Sequence, residues 1–158
     1  RETVVPIGID QDPYMRLVRD IADKLGMAKP SSTYNKFMPG LQGGKMSGSK
    51  PETCIYLTDT PETAKKKIVS AFSGGGASLT EHRRKGGNPD VDVAFQYLRF
   101  MFEEDDKKLA EIEHSFRKGD MTSGELKSYT ADKIVSFLKN HQKEREKAKS
   151  KVDRFLID

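Results

Sequence analysis

The sequence predicts a mostly α-helical protein in which a short α/β segment, residues 1–60, precedes an all-helical segment, residues 61–158. The α/β segment opens on a β-branched run from Val4 to Ile9, and an amphipathic pattern with helical spacing follows that run. Beyond residue 60, helix-capping signals alternate with apolar residues at helical spacing. We therefore expect a small strand-containing unit followed by helices alone.

The α/β segment begins with a predicted strand, turn and helix. The strand from Val4 to Ile9 is bounded by polar residues, and Asp12 is expected to cap the following helix, with Pro13 at the first helical position. Gly26 is expected to end this helix, whose apolar positions are Leu17, Val18, Ile21, Ala22 and Leu25. Ligands of α/β folds bind at the C-terminal ends of strands, so Asp10 and Gln11 are candidate site residues. For Asp10 the alternative is a capping role.

A long connection over residues 27–54 contains the most distinctive short stretch, Lys45-Met46-Ser47-Gly48-Ser49-Lys50. Two lysines can place ammonium charges on phosphate oxygens, and two serines can donate hydroxyl hydrogen bonds. Gly48 permits a close approach of the backbone to a ligand. The stretch therefore resembles a mobile phosphate clamp, with a solvated surface loop as the alternative. A short strand is expected after it, at Cys54 to Leu57.

The helical segment is predicted from its start and stop signals. Thr60 and Pro61 are expected to begin a helix that runs to Phe72, and the glycine-rich residues 73–76 are expected to form a turn. Two capping boxes, Ser78 with Glu81 and Thr122 with Glu125, predict two further helix starts. Asn88 is expected to cap the helix between them, which is apolar on nearly all sides and should be central to the core.

The amino-acid composition limits the kinds of function that the protein can have. The net charge of +4 and the pI of about 9.1 favour a polyanionic partner such as nucleic acid. A single cysteine, Cys54, fits a reducing compartment, and no run approaches the length of a membrane-spanning helix. His82, His114 and His141 are far apart in sequence, so no metal site is expected from them. We expect a cytoplasmic protein without membrane association, and a chain that is a piece of something larger.

Two sequence elements together point to a family. Residues 45–49, Lys-Met-Ser-Gly-Ser, are similar to the KMSKS loop, and residues 8–11, Gly-Ile-Asp-Gln, are similar to a G-x-D-Q element. The chain therefore resembles the class I aminoacyl-tRNA synthetases of the tryptophanyl and tyrosyl pair. The tryptophanyl branch of eukaryotic and archaeal type is favoured by residues 12–16 (Asp-Pro-Tyr-Met-Arg), 71–75 (Ala-Phe-Ser-Gly-Gly), 81–83 (Glu-His-Arg), 86–88 (Gly-Gly-Asn) and 90–93 (Asp-Val-Asp-Val).

The resemblance implies an architecture and a reaction. Residues 1–60 would be the end of a Rossmann-type catalytic domain, and residues 61–158 would be an anticodon-binding domain. The intact enzyme would join tryptophan to its tRNA through a tryptophanyl-adenylate, with ATP as substrate and Mg²⁺ accompanying the ATP phosphates. It implies a homodimer as the full-length enzyme. Contacts with tRNA are expected from charged residues such as Arg83, Arg84 and residues 65–67.

The resemblance also assigns roles to single residues. Lys45 would stabilise the charge that builds on pyrophosphate, with support from Ser47 and Ser49. Met46 would lie near the adenine. Gln11 would contact tryptophan or the ATP ribose, Gly8 and Ile9 would form the pocket floor, and Asp10 would assist in substrate binding.

Two departures from the family pattern limit this expectation. Gly48 stands where KMSKS has its second lysine, and no His-x-Gly-His (HIGH) element occurs in the sequence. We therefore expect a C-terminal portion that does not make aminoacyl-adenylate alone. The alternatives are a tyrosyl-tRNA synthetase fragment, a non-catalytic tRNA- or RNA-binding fragment, and a structural domain with a polar loop by coincidence.

Overall fold

The computed structural model describes residues 3–152, which divide into two compact units, residues 3–37 and 38–152. The division falls upstream of the domain boundary expected at residue 60, which stays a prediction about functional domains. The described residues are mostly helical and include a small parallel sheet, as the sequence predicts. Each unit is described by itself.

The first unit is a strand–helix–strand unit. Strand β1 is Val4–Gly8, helix α1 is Asp12–Lys24, and strand β2 is Ser31–Asn35. The strands pair in parallel, from Val4 opposite Ser31 to Gly8 opposite Asn35. The crossover by a helix is the connection that parallel strands need.

Arg19 joins α1 to β2. Its guanidinium donates to the Pro30 carbonyl at 3.0 Å and to Ser32 Oγ at 2.9 Å, and it lies 3.4 Å from the Tyr34 hydroxyl. Through these contacts, Arg19 provides a hydrogen-bond donor to the polar side chains of Ser32 and Tyr34 in β2. Gly26 ends the α1 turn with φ of +64°, as predicted for the residue after a helix.

Strand β2 was not expected from the sequence, which predicts a structureless connection over residues 27–54. Its residues, Ser-Ser-Thr-Tyr-Asn, lack the apolar alternation of a half-buried strand. The strand expected at Cys54 to Leu57 is absent from the described residues, which have a 3₁₀ turn at Pro51–Thr53 and irregular backbone thereafter. Side-chain bonds hold that segment instead, as set out below.

The second unit is helical. Its helices are α2 (Pro61–Val69), α3 (Leu79–Lys85), α4 (Val93–Tyr97), α5 (Asp106–Lys118) and α6 (Ser123–Lys149), and a π-helical turn, Leu98–Phe102, continues α4. Thr60 caps α2, Ser78 caps α3, and Thr122 and Glu125 form the predicted capping box of α6. The cap expected at Asn88 is wrong, because Asp92 accepts from the Phe95 backbone and caps α4.

Helix α4 is the centre of the second unit, as its all-round apolar character predicts. Val93, Ala94, Phe95 and Leu98 are fully buried. The helix contributes to two core clusters: Leu41, Ala64, Ile68, Ala71, Val93, Tyr97, Ala131, Ile134 and Leu138 form the first, and Ala94, Phe95, Leu98, Ile112, Phe116 and Leu126 form the second. Because α6 contributes residues to both clusters, this one helix supports both parts of the core.

Buried polar groups connect the loops of this unit. Asp92 is fully buried and accepts from Ser73 Oγ at 2.8 Å and from the Gly74 backbone at 2.9 Å, besides capping α4. His82 bridges the Gly76 amide and the Met121 carbonyl, an arrangement that requires a proton on Nε2 and none on Nδ1. The glycine-rich turn predicted at residues 73–76 is thus fixed by side chains from α3 and from the start of α4.

Candidate functional site: the clamp loop

The predicted phosphate clamp is a surface loop of the second unit. We name residues 45–50 the clamp loop. A tight turn precedes it, in which the Gly40 amide donates to the Gly44 carbonyl at 2.7 Å and Pro39 pairs with Lys45 in an isolated antiparallel bridge. Leu41, 1% exposed, packs this turn into the core. The loop therefore starts from a fixed point.

Thr53 holds the centre of the clamp loop. Its hydroxyl accepts from the Ser47 amide at 3.1 Å and lies 3.0 Å from the Ser47 carbonyl and 2.8 Å from the Lys50 carbonyl. The Lys50 amide donates to the Ser47 carbonyl at 3.0 Å, which closes a turn across the glycine. One side chain thus shapes the four residues from Ser47 to Lys50.

Two further side chains approach the loop backbone from the segment that follows. The Tyr56 hydroxyl donates to the Gly48 carbonyl at 2.7 Å, and the buried Cys54 thiol lies 3.7 Å from the Ser47 carbonyl. A tyrosine hydroxyl keeps its proton at neutral pH, and a side-chain hydrogen bond with Cys54 raises the pKa of Tyr56 further. Asp59 accepts from the Tyr56 amide and forms a 2.6 Å ion pair with Lys67, which ties the segment to α2.

The side chains that could meet a phosphate are left open to solvent. Lys45, Ser49 and Lys50 are exposed, and Ser47 is half-buried. Ser47 Oγ and Ser49 Oγ are 3.0 Å apart, so the two hydroxyls converge. Within residues 3–152, neither lysine of the loop forms an ion pair. Two lysines without an ion pair in residues 3–152 and two neighbouring hydroxyls, all within six residues, are a suitable donor set for phosphate oxygens.

Met46 anchors the loop from the opposite side. Its side chain is half-buried and packs against the first core cluster, together with Met38 and Ile55. The backbone of the clamp loop therefore separates an apolar anchor from polar groups that face solvent. The arrangement holds the loop in place without occupying its charged residues.

The second group of predicted site residues lies in the first unit, at the C-terminal end of β1. Gly8 ends the strand, and Ile9–Gln11 form a 3₁₀ turn before α1. A Cβ atom at Gly8 would lie 2.9 Å from Asp10 Oδ1 and 3.0 Å from the Phe37 ring, so a side chain at this position would require its neighbours to move. Ile9, Asp10 and Gln11 are exposed. The strand end thus presents Asp10 and Gln11 where α/β folds bind ligands.

Asp12 does not cap α1, contrary to the sequence prediction. It is the first residue of the helix, and the position before it belongs to Gln11, which makes no side-chain cap bond. The Asp12 carboxylate instead accepts from Arg16 at 2.8 Å. Hydrogen bonds from Tyr34 and then Arg16 lower the pKa of Asp12. Asp12 therefore has a structural role within the first unit.

Sequence reasoning picks out the polar groups of the clamp loop that are open to solvent and misses the side chains that hold the loop in shape. Thr53, Cys54 and Tyr56 shape the loop by bonding to backbone carbonyls, and such bonds leave no pattern in the sequence. The nearest signal is that three residues with hydroxyl or thiol groups closely follow the loop. Arg83 and Arg84, the predicted tRNA contacts, are both exposed, and the Arg83 guanidinium donates to the Gly119 and Asp120 carbonyls.

Neither a metal cluster nor a membrane helix is present in residues 3–152. No three His, Cys, Asp or Glu side chains in this range are grouped so that they could hold a metal ion. None of the helices described there is long and apolar enough to cross a membrane.

Comparison with known proteins places the chain in a family. The family model described as tRNA synthetases class I (W and Y) matches residues 1–139. A tryptophan–tRNA ligase of Sulfolobus acidocaldarius is 53% identical over 161 residues, which cover 100% of this chain and 42% of that protein. A tryptophanyl-tRNA synthetase of Aeropyrum pernix aligns with a TM-score of 0.89 and 43% identity, covering 95% of this chain and 42% of that one.

A tyrosyl-tRNA synthetase of Aeropyrum pernix shares the fold, with a TM-score of 0.72 at 23% identity, over 87% of this chain and 42% of that one. The fold is thus that of class I synthetases, and the chain belongs to the family of tRNA synthetases class I (W and Y). It spans about two fifths of the length of the curated relatives named above.

Proposed function

We propose that the chain is the C-terminal part of a tryptophanyl-tRNA synthetase, which carries the KMSKS-like loop and the anticodon-binding domain. The observation that supports this most directly is the clamp loop, in which Lys45 is exposed and the hydroxyls of Ser47 and Ser49 lie 3.0 Å apart. Tryptophan is favoured over tyrosine as the amino acid because a relative 53% identical to this chain is a tryptophan–tRNA ligase, whereas the tyrosyl structure is 23% identical.

In the proposed reaction, the tryptophan carboxylate attacks the α-phosphate of ATP and pyrophosphate leaves. Negative charge builds on the departing oxygens, and preorganised donors at that position lower the barrier. Lys45 supplies the positive charge, and the hydroxyls of Ser47 and Ser49 donate hydrogen bonds. Thr53 keeps the loop backbone ordered while Lys45 stays free of internal ion pairs in the described residues.

Further contacts are assigned to the strand end and to the loop. Gln11 binds tryptophan or the ATP ribose, Asp10 assists in substrate binding, and Gly8 and Ile9 form the floor of their pocket. The loop backbone at Met46 lies near the adenine, while the Met46 side chain packs against the first core cluster. Mg²⁺ accompanies ATP and is held by phosphates and water, since the residues 3–152 offer no cluster of metal ligands.

The helical part is proposed to bind the anticodon of tRNA(Trp), and the full-length enzyme is proposed to be a cytoplasmic homodimer. The net charge of +4 supports a polyanionic partner. Lys65 and Lys66 are exposed on α2 and remain candidates for contact with the tRNA backbone. Lys67 is a weaker candidate because its ammonium is engaged with Asp59.

The test is tryptophan-dependent exchange of pyrophosphate into ATP by an intact polypeptide that contains this chain and a HIGH element. Lys45→Ala should lower kcat by about 100- to 1,000-fold, the range for loss of one donor to a developing anion. Lys65→Ala, which removes an exposed lysine from α2, is the matched control and should leave exchange unchanged.

Two results would contradict the proposal. One is full exchange activity in Lys45→Ala, and the other is exchange that depends on tyrosine. The 158-residue chain alone is expected to catalyse no exchange, because the HIGH element does not occur in it. Exchange by this chain alone would contradict that part.

A further inference from the structure

Helix α6 carries a polar residue that contacts the segment behind the clamp loop. Ile134 and Leu138 are each 2% exposed in the first core cluster, and Gln142 follows one turn beyond Leu138 on the same face of the helix. The Gln142 amide nitrogen donates to the Leu57 carbonyl and to the Asp59 carbonyl, at 2.9 Å in both cases. The packing of α6 therefore fixes the position from which Gln142 reaches this segment.

The two hydrogen bonds define the orientation of the Gln142 side chain. A carbonyl oxygen only accepts hydrogen bonds, so two carbonyls within reach require the NH₂ end of the amide, whose two hydrogens serve one carbonyl each. The two partners lie 85 and 83 positions earlier in the chain. One side chain thus joins the C-terminal half of α6 to the residues that follow the clamp loop.

The segment that Gln142 reaches is a closed turn, residues 56–59, which we name the bridging turn. The Asp59 amide donates to the Tyr56 carbonyl at 3.0 Å, and the Asp59 carboxylate accepts from the Tyr56 amide at 2.9 Å. Lys67 of α2 contacts both ends of the turn, because its ammonium lies 2.6 Å from Asp59 Oδ2 and 4.9 Å from the centre of the Tyr56 ring. Two helices therefore hold the bridging turn, α2 through Lys67 and α6 through Gln142.

Tyr56 connects the bridging turn to the clamp loop. Its hydroxyl donates to the Gly48 carbonyl at 2.7 Å, at the residue between Ser47 and Ser49. Gly48 has no side chain with which to pack, and glycine is the residue with the greatest backbone freedom. The hydrogen bond from Tyr56 therefore restrains the loop at the position where its sequence restrains it least.

We propose that Gln142 and Tyr56 are positioning residues for the clamp loop, so that helix α6 sets the position of the phosphate-binding groups through the bridging turn. Neither residue is required to contact a reactant. Gln142 holds the turn, the turn orients Tyr56, and Tyr56 holds the Gly48 backbone between the two serines. The catalytic effect rests on the proposed function, whereas the physical link between α6 and the loop is a property of the chain itself.

The catalytic effect is measured by tryptophan-dependent pyrophosphate exchange in the intact polypeptide. Gln142→Met removes the donor and keeps the length of the side chain, and Tyr56→Phe removes the hydroxyl and keeps the ring. We expect each variant to lower kcat about tenfold, since a displacement of about 1 Å can cost up to about 100-fold in rate. The KM for tryptophan should change less than about twofold, because the proposed tryptophan contact, Gln11, belongs to the first unit.

Tyr129→Phe is the matched control for Tyr56→Phe. It also removes one tyrosine hydroxyl from the second unit, but this hydroxyl donates to Glu103 and not to the clamp loop. The control should keep the native kcat. A fall in kcat as large as that of Tyr56→Phe would show that any lost tyrosine bond has this effect, and it would overturn the proposal.

Gln142→Lys is the rescue variant, because it restores a donor at the end of a long side chain. Lys127 on the same helix shows that a lysine can serve two carbonyls, since its ammonium lies 3.0 Å from the Val69 carbonyl and 2.6 Å from the Ala71 carbonyl. Gln142→Lys should therefore recover most of the kcat that Gln142→Met loses. Equal losses in the two variants would contradict a role for the hydrogen bonds.

Combination with Lys45→Ala separates a positioning role from a general loss of stability. If Gln142 acts through the clamp loop, its substitution has less to disturb once the Lys45 charge is removed. Gln142→Met should then lower kcat less than about threefold in the Lys45→Ala background. A fall of about tenfold in both backgrounds would mean independent effects and would overturn the proposal.

The physical link is measured by hydrogen exchange of the intact polypeptide, followed by mass spectrometry. Gln142→Met and Tyr56→Phe should each speed exchange over residues 47–57, whereas Tyr129→Phe should leave it at the native rate. Residues 93–98, which belong to the buried core, should exchange at the native rate in all three variants. Unchanged exchange over residues 47–57 in Gln142→Met would overturn the proposal.

The two measurements distinguish this inference from the proposed function. Absence of pyrophosphate exchange in the native polypeptide contradicts the proposed function, and hydrogen exchange alone then supports or overturns the link between α6 and the loop. Faster hydrogen exchange with an unchanged kcat overturns the positioning role and leaves the proposed function intact.

Discussion

The Thr53 hydroxyl lies 3.1 Å from the backbone nitrogen of Ser47 and 3.0 Å from the carbonyl oxygen of the same residue. Both polar backbone groups of the central serine are therefore held by one side chain. The hydroxyl has a single proton, so it accepts from the amide and donates to one carbonyl at a time. The clamp loop owes its shape to this contact more than to its own glycine.

Thr53→Val tests that contact. The substitution keeps the size of the side chain and removes the hydroxyl, which leaves the Ser47 amide without its partner. We expect a loss of about 1–2 kcal/mol of loop stability, measured as faster hydrogen exchange at the Ser47 amide. Thr58→Val, at an exposed threonine of the following segment, is the matched control. Equal exchange rates in the two variants would argue against Thr53 as the support.

Asp92 is predicted to be the most sensitive buried polar residue of the helical unit. It accepts three hydrogen bonds, from Ser73, Gly74 and Phe95, and is fully buried. Asp92→Asn places an amide NH₂ among donors, so at least one bond becomes a repulsion. We expect the free energy of unfolding to fall by about 2–4 kcal/mol in urea denaturation. Asp132→Asn, on the exposed face of α6, should change it by less than about 0.5 kcal/mol.

Gly119 allows the ends of α3 and α5 to meet. It follows α5 with φ of +81°, and a Cβ atom there would overlap with the carbonyl of His82. Gly119→Ala therefore suffers both backbone strain and a collision, and we expect a loss of about 3 kcal/mol or more in thermal unfolding. Gly44→Ala, where a Cβ meets nothing within 4 Å, should be nearly neutral. Equal effects at the two positions would contradict this account.

The surroundings of Glu103 make the free energy of unfolding depend on pH. Its side chain is 5% exposed, and a hydrogen bond from Tyr129, followed by Lys133 at 3.0 Å, lowers its pKa. A lowered pKa in the folded state gives stability above the ordinary glutamate value, and this stability is lost as the pH falls through the folded value. The difference in unfolding free energy between the native sequence and Glu103→Gln should therefore be present at pH 7 and shrink toward pH 3.

Tyr129→Phe provides the control for that experiment. It removes the largest cause of the lowered pKa and keeps the ring. In its background, the pH dependence caused by Glu103→Gln should be weaker. An unchanged dependence would mean that Lys133 alone controls this carboxylate.

The sequence predicts the helices well where local signals decide. Thr60 with Pro61, and Thr122 with Glu125, mark helix starts through bonds within four residues, and the structure confirms both. The sequence does not predict strand β2, because its partner strand β1 lies 27 positions upstream and the residues of β2 are polar. The cap at Asn88 was wrong since Asp92 is held by Ser73 and Gly74, which no local pattern reveals.

The residues of the candidate site also fall into two groups, those that the sequence predicts and those that it does not. Lys45, Ser47 and Ser49 are recognisable from residue type and spacing, because a phosphate needs charge and hydroxyl donors close together. Their supports, Thr53 and Tyr56, form hydrogen bonds with backbone atoms several residues away. Contacts of this kind depend on the packed structure and require coordinates.

The residues that form the core beneath the clamp loop are synthesised at different times. Leu41 packs in the same cluster as Ile134 and Leu138, which lie about 90 or more residues later in the chain. During synthesis, the loop leaves the ribosome long before the helix that supports it. Until α6 is released and docks, the apolar side chains around Leu41 remain without their partners. The nascent chain is therefore most exposed to aggregation in that interval, when the residues of the clamp loop have been made but not yet ordered.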